Sequence, residues 1–168
     1  MQTIFLIGFM GAGKTTLGKK LANKLQVPFV DLDGHLCENL NVPDIKSLIE
    51  VQGIEFFRKA ESETLKDLEL KPSIVSTGGG TPCYYDNMDW MLANGKVVYL
   101  QMDEKTLFNR LKQTDLSTRP LLKDLDEEGL KKFIAEKLEE RKPYYSRAHF
   151  IYEPLHQTPE ELISLLSA

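Results

Sequence analysis

This chain has few cysteines, no excess of positive charge and no long apolar run, and each shortage excludes a class of protein. Its two cysteines, Cys37 and Cys83, fit neither a metal-site spacing nor a CxxC redox motif, so we expect reduced thiols. A formal net charge of −4 gives no general attraction to nucleic acid. No apolar stretch is long enough to span a bilayer. No basic segment precedes the first apolar run, so we expect no signal peptide, no membrane partner and a cytoplasmic protein.

The remaining composition is that of an ordinary folded domain. The chain has 168 residues, of which 42% are hydrophobic and 27% charged, values typical of globular proteins. A chain of this length suits one domain with a real core. We therefore expect a single domain over residues 1–168.

Short apolar segments alternate with segments of helical periodicity along the chain. This alternation predicts βαβ units, and hence an α/β fold with a five-stranded parallel sheet and helices on both faces. Prolines should end a helix after Leu70 and disturb the last turn of another at Pro143. The predicted strands are 3–7, 27–30, 73–76, 97–100 and 149–152. The predicted helices are 14–26, two short pieces within 34–60, then 60–70, 86–94, 104–112, 127–146 and 159–166.

A glycine-rich segment joins the first strand to the first helix. Gly8-x-x-x-x-Gly13-Lys14-Thr15 matches the phosphate-binding P-loop, and its strand-to-helix context is the required one. Such a loop curls backbone N–H groups around phosphate oxygens. The lysine would reach the β- and γ-phosphates, and the threonine hydroxyl would bind Mg²⁺. The alternative is a glycine-rich turn that binds no phosphate, with a lysine that is exposed to solvent.

The P-loop alone does not identify the reaction. GTPases, motors and small-molecule kinases share it, and residues 31–34 contain the DxxG string of GTPases. However, no NKxD guanine motif occurs, because Asn23-Lys24 is followed by Leu25-Gln26. A motor would also need a longer chain.

Carboxylates and glycines follow two other predicted strands, at the edge where ligands bind in such sheets. Asp31 and Asp33 could have different roles: one would hold Mg²⁺ through water, and the other would take a proton from a hydroxyl. The alternative is a turn aspartate with a helix N-cap. Three glycines, Gly78–Gly80, allow close backbone approach by a ligand, or form a flexible turn.

Three arginines are candidate anion ligands. Guanidinium groups bind carboxylate and phosphate bidentately. Arg58 and Arg141 could clamp a substrate carboxylate while Arg119, in a polar loop, meets the transferring phosphoryl group. Each arginine, taken singly, could equally be a solvated surface residue.

These clusters together resemble a shikimate kinase, in the nucleoside-monophosphate-kinase-like group of P-loop proteins. The resemblance implies a three-layer fold with a substrate-binding segment at about 34–60 and a lid at about 113–124. It also implies a monomer. The matching elements span residues 7–148 and are, in chain order, IGFMGAGKTT, VDLD, EFFR, STGGG, TRPLL and ERKPYYSRA.

The resemblance implies transfer of the γ-phosphoryl group of ATP to the 3-hydroxyl of shikimate, in aromatic amino-acid biosynthesis, with one Mg²⁺ ion. Asp33, Lys14 and Arg119 would be catalytic, with Asp33 as the base. Asp33, Arg58, Gly79 and Arg141 would bind shikimate, and Thr15 and Asp31 would serve the metal. The ATP-binding residues would be Gly11, Ala12, Gly13, Lys14, Thr15, Thr16, Arg110, Arg119 and Gln157.

The chain departs from the family pattern in two places. The lid has Asp115-Leu116-Ser117-Thr118 where family members often carry a basic residue. Gln157 stands where they often have an arginine before a proline, at the adenine site. Two other functions fit the P-loop: a kinase of another small acceptor, such as gluconate or a nucleoside monophosphate, and a nucleotide-binding module without turnover.

Overall fold

Five strands form one parallel sheet, in the order β2-β3-β1-β4-β5. The computed structural model of the protein describes residues 1–167. All five predicted strands are confirmed, each to within two residues at either end. In chain order they are β1 (Ile4–Ile7), β2 (Phe29–Asp31), β3 (Ile74–Ser76), β4 (Lys96–Leu100) and β5 (Phe150–Tyr152).

Helices cover both faces of the sheet, as the side chains of β1 show. Ile4 and Leu6 enter one hydrophobic cluster, whereas Phe5 and Ile7 enter another, because successive side chains of a strand point to opposite faces. Within residues 1–167, no helix has the length and apolar character needed to cross a membrane. The helices are α1 (Lys14–Leu25), α2 (Leu32–Leu40), α3 (Ile45–Gln52), α4 (Ile54–Lys66), α5 (Asn87–Asn94), α6 (Glu104–Leu111), α7 (Glu127–Tyr145) and α8 (Pro159–Ser167).

The predicted helix boundaries between 34 and 70 are wrong in one respect that matters for the site. Helix α4 begins at Ile54 and ends at Lys66, not at 60 and 70. It begins early because Gly53, with φ of 89°, makes the sharp turn that separates it from α3. It ends early because its buried face stops at Leu65, while Leu70 is 45% exposed. Arg58 therefore lies inside a helix.

The prediction that Pro143 disturbs the last turn of the long helix is also wrong. Helix α7 continues through Pro143 to Tyr145. A proline in the last turn removes only one backbone hydrogen bond, and the Ser146 N–H still reaches the Lys142 carbonyl at 3.0 Å. As a result Arg141 and Tyr145, four residues apart, lie on the same face of one helix.

Candidate active site

The loop between β1 and α1 has a backbone that only glycine adopts readily. Gly8, Gly11 and Gly13 have φ angles of 146°, 83° and 92°, which strain any residue with a Cβ. The Ala12 N–H turns inward and donates to the Phe9 carbonyl at 3.1 Å. The loop thus has the tight curvature that the P-loop pattern predicts.

The ammonium group of Lys14 is a buried positive charge at the start of α1. Its Nζ donates to the carbonyl oxygens of Gly8 at 2.7 Å and of Phe9 at 3.0 Å. Burial lowers the pKa of Lys14 to about 8, although the nearby Asp33 carboxylate opposes that shift. A cation and the positive end of a helix therefore converge on one point, an arrangement that favours phosphate.

A cavity of about 420 Å³ opens over this loop. The carboxylates of Asp31 and Asp33 line it from the end of β2 and the start of α2, and the residues after β3 close its far side. Its wall includes seven of the predicted ATP-binding residues: Gly11, Gly13, Lys14, Thr15, Thr16, Arg110 and Arg119.

The two predicted adenine contacts differ in position. Arg110 lines the phosphate cavity, and its Nη1 donates to the Gly11 carbonyl at 3.3 Å. Gln157 is not in that wall, because its side-chain oxygen accepts the Glu153 N–H at 2.8 Å and so braces the turn after β5. Arg110 thus lies beside the P-loop, while the role of Gln157 stays a prediction.

A second cavity, of about 230 Å³, lies between helices α3 and α4, the glycine run, residues 118–121 and α7. The structure brings all four predicted substrate-binding residues into its wall: Asp33, Arg58, Gly79 and Arg141. Asp33 and Arg119 also line the phosphate cavity. We call the second cavity the acceptor cavity. The two cavities therefore share a wall, whose charged members are Asp33 and Arg119 and whose other members are Met10, Gly78 and Gly79.

The three consecutive glycines are explained by close approach rather than by backbone strain, since none of them has a positive φ. Each packs against a different charged side chain of the site. A Cβ at Gly78 or Gly80 would collide with that side chain, and a Cβ at Gly79 would crowd it. A Cβ at Gly78 would lie 2.8 Å from Glu61 Oε2, at Gly79 3.0 Å from Arg141 Nη1, and at Gly80 2.6 Å from Arg58 Nη2.

Glu61 belongs to the site and was missed by the sequence reasoning. It is fully buried, and it accepts hydrogen bonds from Arg58 Nη1 at 2.9 Å and from Thr81 Oγ1 at 2.7 Å. The i, i+3 spacing from Arg58 on one helix was an available signal. The wrong helix start at Ala60 concealed it.

Three buried polar atoms of the described residues have no hydrogen-bond partner: Asp33 Oδ1, Arg58 Nε and Arg141 Nη1. All three residues line the acceptor cavity. Buried polar atoms are nearly always paired, because leaving them unpaired costs free energy. A polar, negatively charged ligand with hydroxyl groups would satisfy all of them.

Burial also raises the pKa of the Asp33 carboxyl to about 6. The carboxylates of Glu61 and Asp31 add to that shift, and the cations Lys14 and Arg58 oppose it. A carboxylate of raised pKa, with an unpaired oxygen, is equipped to accept a proton from a ligand hydroxyl.

The family model described as "Shikimate kinase" matches residues 10–166. The chain belongs to the shikimate kinase family. A shikimate kinase of Bacteroides fragilis is 42% identical over 153 residues, which is 90% of this chain and 84% of that protein.

Solved structures of the family superpose on this chain over almost its whole length. A shikimate kinase from Bacteroides thetaiotaomicron has a TM-score of 0.89 and 38% identity, covering 99% of this chain and 98% of that one. A shikimate kinase from Acinetobacter baumannii, solved in complex with shikimate, has a TM-score of 0.88 and 28% identity, covering 99% and 93%. Family membership therefore rests on sequence and on architecture together.

Proposed function

We propose that this chain transfers the γ-phosphoryl group of ATP to the 3-hydroxyl of shikimate, giving shikimate 3-phosphate and ADP. The observation that carries the proposal is the meeting of the phosphate and acceptor cavities at Asp33 and Arg119. A donor in one cavity and an acceptor in the other would have their reacting atoms side by side. Shikimate is proposed as the acceptor because the chain belongs to the shikimate kinase family and because the Acinetobacter baumannii relative was solved in complex with shikimate.

In this proposal two arginines bind the acceptor carboxylate. Arg58 and Arg141 are both buried and line the acceptor cavity, and each has a nitrogen without a partner. A bidentate carboxylate would satisfy such donors and would be held in one orientation. The backbone N–H of Gly79, beside Arg141, would donate to a substrate hydroxyl.

Asp33 would hold and then deprotonate the hydroxyl that is phosphorylated. Its Oδ1 is buried and unpaired, so it has room for one strong hydrogen bond from the substrate. The raised pKa makes Asp33 a better proton acceptor than an exposed aspartate, while leaving it ionised near neutral pH.

The phosphates would lie on the P-loop, with Lys14 against the β- and γ-phosphates. Phosphoryl transfer depends on positioning and charge stabilisation rather than on covalent help from the protein. Arg119 lies in the lid and lines both cavities. It would stabilise the charge of the transferring group, and lid closure would exclude the water that otherwise hydrolyses ATP.

One Mg²⁺ ion is expected with ATP. Thr15 and Asp31 are exposed and line the phosphate cavity, so both donors are free to serve a metal. Within residues 1–167 no group of three or more His, Cys, Asp or Glu side chains forms a metal cage. This fits Mg²⁺, which keeps several waters and takes most other ligands from phosphates. The ion would neutralise phosphate charge during transfer.

We further propose that one copy of the chain is sufficient for activity, because a single chain supplies the walls of both cavities. We assign the reaction to the cytoplasm, where ATP is available, and to aromatic amino-acid biosynthesis. Arg110, beside the P-loop, and Gln157 remain our candidates for contacts with the adenine end of ATP.

The test is ADP release from ATP and Mg²⁺, with and without shikimate, in a coupled assay. The proposal predicts release that depends on shikimate, and shikimate 3-phosphate as the product by mass spectrometry. A panel with gluconate and nucleoside monophosphates tests the other acceptors in the same assay. Faster turnover of one of these compounds would mean that it, and not shikimate, is the acceptor. ATP binding without acceptor-dependent release would leave a nucleotide-binding module.

A further inference from the structure

One aromatic ring outside the predicted site lies directly on a substrate-binding arginine. The ring centroid of Tyr84 is 4.1 Å from Arg58 Cζ. Tyr84 follows the short 3₁₀ turn Thr81–Cys83, which itself follows the glycine run. The segment that follows the glycine run therefore places the Tyr84 ring on the guanidinium, and the glycine run itself lines the acceptor cavity.

We propose that Tyr84 is a positioning residue, which holds the Arg58 guanidinium in the orientation that binds the acceptor carboxylate. This inference rests on the proposed function, because it needs an acceptor with a carboxylate on Arg58. Tyr84 would not touch the reacting atoms. It would act through Arg58 alone, by fixing its orientation and by keeping water from one of its faces.

The other contacts of Arg58 fix its orientation only in part. The ring centroid of Phe57 lies 4.9 Å from Arg58 Cζ, farther than that of Tyr84, and Phe57 is buried in a hydrophobic cluster, so core packing explains its position. Glu61 holds only the Nη1 edge of the guanidinium, at 2.9 Å, and Nε has no partner. Gly80 offers close packing but no hydrogen bond. A long side chain fixed at one edge keeps freedom to turn about that edge. A ring stacked on the guanidinium removes this freedom, and a cation over an aromatic face is attracted most strongly where water is excluded.

The second acceptor arginine has a similar arrangement. Arg141 Cζ lies 5.2 Å from the ring centroid of Phe9. Phe9 is 1% exposed and belongs to the hydrophobic core, so its ring has a structural reason to be there. Tyr84 is 38% exposed, and core packing does not explain its position. The contact with Arg58 does.

The exposure of Tyr84 makes the inference testable, because replacement should leave the fold intact. The neighbouring Tyr85 is 64% exposed and, among residues 1–167, has no cation–π partner. Tyr85→Ala is thus a matched control for losing an aromatic ring from the same segment. Tyr84→Phe keeps the ring and removes only the hydroxyl.

The experiment compares these three variants with the wild type in steady-state kinetics. We expect Tyr84→Ala to raise the KM for shikimate about two- to thirtyfold, the range of a cation–π contact, while the KM for ATP stays unchanged. Tyr84→Phe should restore the wild-type KM, and Tyr85→Ala should keep it. Melting temperatures of all variants should stay close to that of the wild type.

A second measurement separates positioning of Arg58 from a general effect on the cavity. The methyl ester of shikimate lacks the negative charge that Arg58 would bind. The wild type should prefer shikimate to the ester strongly, and Tyr84→Ala should show a smaller preference. Equal losses on both compounds, or equal rises in the KM values of shikimate and ATP, would overturn the inference.

The inference and the proposed function fail in different ways. A wild type without activity on shikimate would remove the proposed function. A wild type active on shikimate, with Tyr84→Ala unchanged in KM and in preference over the ester, would remove only the role of Tyr84. Failure of Tyr84→Phe to restore the KM would show that the hydroxyl, and not the stacked ring, is what matters.

Discussion

The hydroxyl of Tyr145 donates a 2.5 Å hydrogen bond to the carbonyl oxygen of Gly79. Tyr145 is fully buried near the end of α7, one turn after Arg141. Gly79 packs against that same arginine. A single phenol therefore ties the helix that carries Arg141 to the loop that carries Gly79, the two residues that we propose bind the substrate.

Replacing this phenol should weaken both the fold and the site. Tyr145→Phe leaves the Gly79 carbonyl without its side-chain donor, which costs about 1–3 kcal/mol for a buried group. We expect a lower free energy of unfolding in urea and a raised KM for shikimate. Tyr99→Phe is the control, because its ring packs on Tyr145 at 4.9 Å. Equal stability of Tyr145→Phe and the wild type would mean that the bond contributes little.

Arg58→Lys should raise the KM for shikimate much more than the KM for ATP. Lysine keeps a positive charge beside the buried Glu61 but loses the planar fork that binds a carboxylate bidentately. We expect the KM for shikimate to rise about tenfold or more, in line with a lost charge-assisted contact, while the KM for ATP changes little. Arg147→Lys, at an exposed arginine paired with Asp89, is the control. Equal effects of Arg58→Lys on both substrates would argue against a carboxylate clamp.

Asp33→Asn should abolish most turnover without abolishing nucleotide binding. The amide keeps the shape of the side chain but cannot accept the proton, and general-base loss costs about a hundredfold or more in kcat. ATP affinity, measured by calorimetry, should stay near the wild-type value because the P-loop contacts are unchanged. A kcat close to that of the wild type would exclude Asp33 as the base.

The same substitution should change how stability depends on pH in the Mg²⁺-free protein. The folded pKa of Asp33, about 6, lies above its ordinary 3.8, so ionisation of Asp33 destabilises the folded state. That cost is absent below about pH 4, grows up to about pH 6 and persists above it. The stability gain of Asp33→Asn over wild type should therefore rise between these values. Thermal melts across this range measure it, and a gain that is constant with pH would contradict the prediction.

Arg119→Ala should reduce the rate more than it reduces binding. Because Arg119 lines both cavities, we assign it to the charge of the transferring phosphoryl group, where loss of one stabilising contact costs about a hundredfold in kcat. Lys123→Ala, elsewhere in the lid, controls for a general loss of lid charge. A raised KM for ATP with an unchanged kcat would restrict Arg119 to nucleotide binding.

Much of the fold was predictable because its signals are local. The alternation of apolar and periodic segments predicted all five strands and their parallel arrangement. The pattern at Gly8–Thr15 predicted a loop whose glycines do have positive φ angles. The predicted start and end of α4 were wrong, and so was the predicted disturbance of α7 at Pro143. Helix α4 starts at the turn that Gly53 makes and ends with its buried face, and α7 tolerates Pro143 because a proline in the last turn removes only one backbone hydrogen bond.

The glycines and aspartates of the site were readable from the sequence, because they follow predicted strands at the edge where ligands bind in such sheets. The arginines were identified through the family resemblance, since each taken singly could be a solvated surface residue. Their relationships were not readable. The sheet order β2-β3-β1 places the chain after β2 and β3 beside the P-loop. That order also buries Asp33 and brings it near Glu61, and both effects raise its pKa. The bond from Tyr145 to Gly79 and the ring of Tyr84 on Arg58 likewise join residues whose proximity depends on how whole elements pack, which local spacing does not encode. The Arg58–Glu61 pair is different, because its i, i+3 spacing on one helix is local.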